Sequence, residues 1–421
     1  MTNLYGFFGP SERAPRIIPE VEETSAFIPV IRVLGIGGAG GNALNRMIER
    51  GLQGVEFVAI NTDAQDLQKS LAPVKIQIGH RLTKGLGAGG SPKAGETAAL
   101  EDIERIREVI AGAQMIFLTA GLGGGTGSGA TPVIAQEIRK TFPETLLVAV
   151  VTLPFYFEGP IRQRNAQVAL THLKKKVDAY IVIPNQNIVQ IADPDLPLTE
   201  AFWMADEILY RAVEGLTDMI VRPGEINLDF ADVYNVLKDQ GRAVFGSGYA
   251  EGPDRAMKAV EMALHCPLLE NTSIKDARNV LVHITGNRIT LREVETACSY
   301  IYEFLHPEHS HMYFGYATRD ESAGMRVTII VSGFPNEPPT EKEESKSPGA
   351  AAEPIVATTR RTAVYYDGRT PTPTRLERVF DEATPESALE IDPEALRRPA
   401  IERKQPRYVF PGFRSRKKEE E

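Results

Sequence analysis

The residues best suited to do chemistry in this chain are glycines. Gly121-Leu122-Gly123-Gly124-Gly125-Thr126-Gly127-Ser128-Gly129 follows an apolar run over 115–118 that reads as a buried strand. It precedes a helical pattern over 131–140 with Pro132 near the first turn. Without Cβ atoms such a loop lets the backbone approach a bound group, and its N–H donors and the helix N-terminus favour an anion. The natural anion is a phosphate. A flexible linker is the competing reading, and the flanking strand and helix count against it. No Gly-Lys-Ser/Thr closes the loop, so it is not a Walker A loop.

Two more glycine loops stand at expected strand ends. Gly35-Ile36-Gly37-Gly38-Ala39-Gly40-Gly41-Asn42 joins a strand over 31–36 to an amphipathic helix over 43–49. It satisfies Gly-x-Gly-x-x-Gly at Gly35, Gly37 and Gly40, which alone suggests a nicotinamide or flavin dinucleotide. The loop at 121–129 makes that oxidoreductase reading weaker. Lys84-Gly85-Leu86-Gly87-Ala88-Gly89-Gly90 leads to Ser91 as an N-cap and Pro92 at the first position of a helix expected to run to about 111.

Polar and charged candidates surround these loops. A strand over 55–60 ends at Asn61-Thr62-Asp63, polar groups where open α/β sheets bind ligands, with Asp63 also open to a turn or cap role. Glu158 and Arg162 leave the strand over 146–153 together, as a surface ion pair or as holders of a sugar. Asn185 follows a strand over 179–183, and Phe202 and Asp206 are four apart on a long helix over 199–221, offering an aromatic platform and an acceptor to a base. Asn227, Asp229 and Asp232 precede a helical pattern over 233–238; there Asp229 as N-cap and Asp232 as a first-turn charge is the plain reading.

The elements that must position these groups alternate strand, loop and helix, the order of a doubly wound, Rossmann-like α/β domain. The helix over 199–221 reads as a central core helix, with apolar residues at helical spacing. From about residue 246 a smaller α+β domain begins, with helices over 254–265 and 290–305 and strands over 280–285, 312–318 and 325–332. Residues 1–27 lack a period and read as a disordered arm. Residues 335–388, rich in Pro, Glu, Lys, Ser, Thr and Ala, read as a disordered linker, and 389–421 as a tail that docks on a partner. The domain boundaries expected are therefore 28–221 and 222–334.

Composition restricts the function classes. A 421-residue chain that is 42% hydrophobic and 24% charged is an ordinary globular composition with room for two cores. Its net charge of -9 argues against nucleic acid as a general partner. Cys266 and Cys298, both in helical patterns, are too few for a disulfide scaffold and point to a reducing compartment. With no signal peptide and no apolar run near ~20 residues, a cytoplasmic protein with no direct membrane span is expected.

Taken together, these segments resemble the bacterial cell-division GTPases of the tubulin/FtsZ superfamily, from about residue 31 to 334. The resemblance rests on GIGGAGGNA at 35–43, NTDAQ at 61–65, KGLGAGG at 84–90, GGGTGSG at 123–129, FEGPIR at 157–162, RPGEINLDFAD at 222–232 and RVTIIVSGF at 326–334. It implies that GTP lies across the carboxyl ends of the strands. Gly37, Gly38, Ala39, Gly40 and Gly41, with Asn61, Ala88, Gly89 and Gly90, would surround the nucleotide together with Gly123, Gly124, Gly125, Thr126, Gly127, Ser128 and Gly129. Glu158 and Arg162 would stand near the ribose and phosphates, Asn185 and Asp206 against guanine, and Phe202 as the stacking aromatic. No protein metal ligands are assigned, although Mg²⁺ is expected to accompany GTP or GDP.

The resemblance also changes the weight of the acidic segment. In that family the loop reaches the nucleotide of the next subunit, so Asn227, Asp229 and Asp232 become catalytic candidates whose site is completed by head-to-tail polymerisation into filaments. The expected partners are further copies of the chain, with a membrane adaptor and division regulators on the C-terminal tail. Three departures stand out: Gln186 where an acidic residue commonly follows the base-contacting Asn, Lys238-Asp239-Gln240 in place of a more apolar pattern, and an approximate tail motif at 391–398. Plasmid segregation or cell shape is the alternative role for such a filament.

Overall fold

The computed structural model describes residues 29–335 apart from Pro223, Asn227, 267–273, Pro307 and 320–322. The expected arm at 1–27, the tail at 389–421 and all of the linker but Pro335 lie outside the described residues.

Strands that alternate apolar residues between two faces build the first half. β1 (Ile31–Ile36), β2 (Glu56–Asn61), β3 (Val74–Gln77), β4 (Met115–Gly121), β5 (Leu146–Leu153) and β6 (Ala179–Pro184) pair in parallel in the order β3-β2-β1-β4-β5-β6. That is the doubly wound order, and its direction reverses between β1 and β4. Residues such as Val33, Phe117 and Val148 pack to one side against α1 (Gly37–Glu49). Leu34, Leu118 and Ala149 pack to the other. Burial on both faces explains why β4 and β5 read as continuous apolar runs.

Short helices α2 (Ala64–Lys69) and α3 (His80–Thr83) follow β2 and β3. The helix expected over 92–111 is two, α4 (Pro92–Glu101) and α5 (Ile103–Ile110). They part at Asp102, whose carboxylate accepts from the Gly79 amide at 2.8 Å and from Arg105 at 3.1 Å. Ser91 caps α4 as expected. The helix expected over 131–140 is α6 (Thr126–Thr141), so Pro132 lies inside it rather than in its first turn. The glycines of the loop coil into that helix because α4 packs directly on it: a Cβ on Gly129 would lie 1.9 Å from the carbonyl oxygen of Pro92. The first helix likewise starts at Gly37, six residues before the periodic apolar pattern begins.

α7 (Pro160–Lys174) and α8 (Ile188–Ile191) follow β5 and β6, and α9 (Leu198–Val221) crosses the molecule as the expected core helix. At 24 residues it is about 36 Å long. α10 (Phe230–Leu237) begins earlier than the helical pattern suggested, because Asp229 caps it. The strand β7 (Gly241–Ala250) starts before the boundary read near residue 246 and pairs with β6 at Ala179 and Tyr180. It carries the sheet onward through β10 (Met325–Ser332), β8 (Asn279–Gly286) and β9 (His311–Thr318), ten strands in all among the described residues. α11 (Arg255–Leu264) and α12 (Leu291–Tyr302) bury a third apolar cluster on this second half. Cys266 lies just beyond α11 rather than in it, and Cys298 lies within α12. Among the described residues no helix is long and apolar enough to cross a membrane.

Candidate functional site

The carboxyl ends of the parallel strands open into a cleft of about 510 Å³ at the point where the strand order reverses. Its floor is made of helix starts. α1 and α6 have Ile36 and Gly125 as N-caps with no side-chain acceptor on their first amides, so those N–H groups are left for a ligand. The two loops touch: Gly37 has φ 74°, and a Cβ on it would come 3.0 Å from the Gly127 nitrogen. Neither the torsion nor the contact suits a larger residue. The third loop closes the wall, with Asn165 donating to the carbonyls of Gly90 at 3.4 Å and Gly123 at 3.3 Å.

Most of the residues singled out in the sequence meet here. Gly37, Gly38, Ala39, Asn61, Ala88, Gly89, Gly90, Gly124, Gly125, Thr126 and Gly127 line the cleft, as do Glu158, Arg162, Asn185, Phe202 and Asp206. Gly40, Gly123, Ser128 and Gly129 stand behind the lining. The Ser128 hydroxyl accepts from the Gly123 amide at 2.7 Å and holds the loop closed on itself. Gly41 lines a small adjoining recess between α1 and β2.

The polar chemistry divides along the cleft. At the glycine end the Thr126 and Thr62 hydroxyls are 2.7 Å apart and buried. Asp63 spends one carboxylate oxygen capping α2, with the Gln65 amide at 2.9 Å. Arg162 donates to Glu158 at 2.5 Å, and the other oxygen of Glu158 accepts from the Phe155 amide at 2.8 Å, so the pair sits at the rim with the carboxylate anchored. Gln186 is not idle: its side-chain oxygen accepts from the Tyr156 amide at 3.1 Å and braces that same rim.

At the other end, Phe202 packs edge-on against Phe155 with ring centroids 5.3 Å apart and keeps a face open. Asn185 is 6% exposed, and its side-chain oxygen is buried with no partner among the described residues. A buried acceptor left unpaired is costly, so this oxygen is placed to receive a donor from a ligand. Asp206 opens to the cleft but is otherwise enclosed, and burial pushes its carboxyl up to about 7 against the pull of Arg46. Arg46 is itself drawn to Glu207 at 3.5 Å.

Sequence reasoning did not single out Asn42, Asp66 or Thr152 as lining residues. Asn42 and Asp66 carried a signal, standing one residue past a glycine loop and three past Asp63. Thr152 carried none, being one position in an apolar strand.

Asp229 and Asp232 are not part of this cleft's lining. They follow the far end of α9, where the Asp232 amide donates to Asp229 at 2.8 Å and the Asp229 amide to Asp232 at 3.1 Å. The Asp229 cap was expected from the sequence; the return bond that makes Asp232 part of a capping box was not. Asn227 lies outside the described residues.

A doubly wound sheet, uncapped helix starts under glycine loops, and a buried amide oxygen beside a buried carboxyl and an aromatic face together describe a nucleotide-binding protein. Residues 30–193 match the Tubulin/FtsZ family, GTPase domain, and residues 241–335 match the FtsZ family, C-terminal domain. A cell division protein FtsZ from Wolbachia sp is 47% identical over 319 residues, covering 73% of this chain and 80% of the relative. Another from Magnetospirillum gryphiswaldense is 45% identical over 336 residues, covering 78% of this chain and 59% of that protein. Among solved structures, an empty FtsZ dimer from M. jannaschii matches with a TM-score of 0.69 at 42% identity, over 73% of this chain and 89% of that one. The chain belongs to the tubulin/FtsZ family, and it carries that family's GTPase domain.

Proposed function

We propose that this protein assembles head-to-tail into GTP-dependent filaments of the bacterial division ring and hydrolyses GTP at the junctions between subunits. The observation that carries the proposal is the separation within one chain of the nucleotide cleft from the acidic pair. From Asp206 to the end of α9 is 15 residues, about 22 Å of helix, before Asp229 is reached. In this reading a single subunit holds two separated halves of a site, and a head-to-tail contact brings them together as a heterologous, non-closing interface.

In this reading Asn185 and Asp206 receive the N1 and N2 protons of guanine, and Phe202 stacks on the ring. Adenine lacks those donors and would leave the Asn185 oxygen and a carboxylate unpaired, so guanine is selected. The amides at the starts of α1 and α6, with Gly89 and Gly90, cradle the phosphates, and Thr126 adds a hydroxyl. The oxygen-only set of Asp63, Asp66 and Thr126 suits a hard cation, and Mg²⁺ held there would neutralise charge on the leaving phosphate. Asp229 and Asp232 of one subunit orient and polarise the water that attacks the γ-phosphate held by the next, with Asn227 as a further polar contact.

The match over 241–335 to the FtsZ C-terminal domain favours division over plasmid segregation or cell shape. We place the protein in the cytoplasm at midcell, tethered by an adaptor and met by division regulators through its C-terminal tail.

The test is GTP turnover per subunit as a function of protein concentration, with light scattering recorded in parallel, for the wild type and Asp232→Ala. The wild type should turn over only above a critical concentration. The variant should scatter light normally while hydrolysing at about 1% of the wild-type rate or less, in line with the 10²–10³-fold effects of losing a group that acts only in the transition state. Turnover per subunit that is flat with concentration and indifferent to Asp232 would mean that the site is complete in one chain.

A further inference from the structure

The acidic pair begins α10, and what fixes the other end of that helix is a charged knot at the amino ends of the strands. Arg139, in the last turn of α6, donates one guanidinium nitrogen to Asp178 and another to Asp239. Asp178 is fully buried, and its second carboxylate oxygen accepts from the Leu147 amide at 2.8 Å. Lys238, the C-cap of α10, reaches the same carboxylate at 3.2 Å and donates to the Pro143 carbonyl at 2.9 Å.

The backbone is caught as well. The Gly241 amide donates to the Asp178 carbonyl at 2.8 Å. Asp239 sits at φ 55°, in the left-handed region that a side-chain-bearing residue adopts only where its surroundings require it. Gln240 donates to the Lys238 carbonyl at 3.1 Å and accepts from Asn279 of β8 at 3.4 Å. Lys238-Asp239-Gln240 is the stretch that departs from the family pattern, and all three side chains are used here.

The knot has a direction. α6 starts under the phosphate cradle at Thr126 and ends at Arg139, and α10 ends at the knot and starts at Asp229 and Asp232. Burial alone would lower the basicity of Arg139, but the hydrogen bond to Asp239 and the charge of Asp178 raise it, so the guanidinium stays charged. A rigid helix thus connects the loop at this subunit's own nucleotide to the helix that carries the acidic pair toward its neighbour's.

We propose that Arg139, Asp239 and Lys238 are positioning residues for hydrolysis: they tie α10 to α6 and so set the reach of Asp229 and Asp232 across the subunit junction. The proposal rests on the acidic pair acting on the neighbouring nucleotide.

Asp239→Asn is the informative variant, because it weakens one link and leaves the buried Arg139–Asp178 pair in place. It is measured in the full-length protein alone, in combination with Asp232→Ala, and beside Arg139→Lys. The readouts are GTP affinity below the critical concentration, the critical concentration itself, and turnover per assembled subunit. The expected outcome for Asp239→Asn is a five- to twentyfold fall in turnover, with affinity and critical concentration within twofold of wild type. No further fall is expected once Asp232 is already Ala. Arg139→Lys, which cannot span both carboxylates, should fall similarly.

Wild-type turnover in Asp239→Asn, or losses that multiply with that of Asp232→Ala, would overturn the positioning role. A change in critical concentration that alone accounts for lost turnover would also overturn it, by making the knot part of assembly. If Asp232→Ala itself turns over normally, the trans mechanism has failed instead, and the two failures are told apart within one data set.

Discussion

Asp206 and Asp232 are carboxylates of one chain, at opposite ends of the same structural axis, in contrasting surroundings. Asp206 is enclosed by α9 and the cleft wall, with its carboxyl pushed up to about 7 by burial. Beside it the oxygen of Asn185 is buried and unpaired. Asp232 and Asp229 stand at the surface start of α10, where their carboxylates accept from each other's amides. The cleft end is expensive in the absence of ligand and complete once one arrives. The acidic end is satisfied by itself and has nothing to act on. Under the proposed function, a chain built this way binds nucleotide as a monomer and needs a second copy to react it.

The largest effect that would break this contrast belongs to Asp206→Asn. The substitution replaces a carboxylate proposed to accept from guanine with a group that also presents donors. The loss should be about 2–3 kcal/mol, or roughly a hundredfold in GTP affinity. Equilibrium binding below the critical concentration measures it, and discrimination against ATP should shrink with it. Because the asparagine cannot ionise, the nucleotide-free protein should melt no lower than wild type at pH 7.5. A variant that keeps GTP affinity within threefold would remove Asp206 from the base-recognition end.

Next in size is the pH dependence of binding in the wild type. In the nucleotide-free fold Asp206 has a pKa raised from 3.8 to about 7. The stability associated with its neutral form is present below about pH 4 and is lost as pH climbs through 7. Guanine donors favour the ionised form, so binding expels a proton wherever the free protein still holds one. GDP affinity should therefore rise with pH, by up to about tenfold per unit, and level off above about pH 7. The thermal shift produced by GDP should likewise be larger at pH 7.5 than at pH 5.5. Asp206→Asn should flatten both trends; a slope that survives the substitution assigns the linkage to another group.

The two ends also differ in how much of them could be read from the residues. The cleft was legible because its parts announce themselves locally: glycines after β1 and β4, polar residues after β2, and Phe202 with Asp206 one helical turn apart. What was lost there is where loop gives way to helix. Gly127 and Gly129 are poor helix formers, and tertiary packing draws them into a helix, Gly129 against Pro92 of α4 and Gly127 against the Gly121 carbonyl of β4, overriding propensity. The division of α4 from α5 has the same origin, since Asp102 is taken by Gly79, 23 residues away. β7 went unread because Gly246 and Gly248 interrupt its apolar alternation.

At the acidic end the cap was legible and its anchorage was not. Arg139 meets Asp178 and Asp239 across separations of 39 and 100 residues, and no periodicity carries that information. Lys238-Asp239-Gln240 was visible only as an irregularity. The fold explains the irregularity, because a charged stretch there meets a buried carboxylate that already needs partners.

The smallest effect sharpens the contrast most, because it separates two roles of one residue. Asp229 accepts from the Asp232 amide at 2.8 Å and so caps α10, and it is also proposed to face the neighbouring nucleotide. Asn is as good an N-cap as Asp, whereas Ala offers no acceptor and costs about 1 kcal/mol. Asp229→Asn should therefore melt within about 1 °C of wild type, and Asp229→Ala about 2–4 °C lower. Both should lose turnover, since neither carries the charge that polarises the attacking water. If the asparagine variant turns over normally and only the alanine variant is slow, the carboxylate at 229 is a cap whose contribution to hydrolysis is structural. The chemistry at the junction would then rest on Asp232 alone.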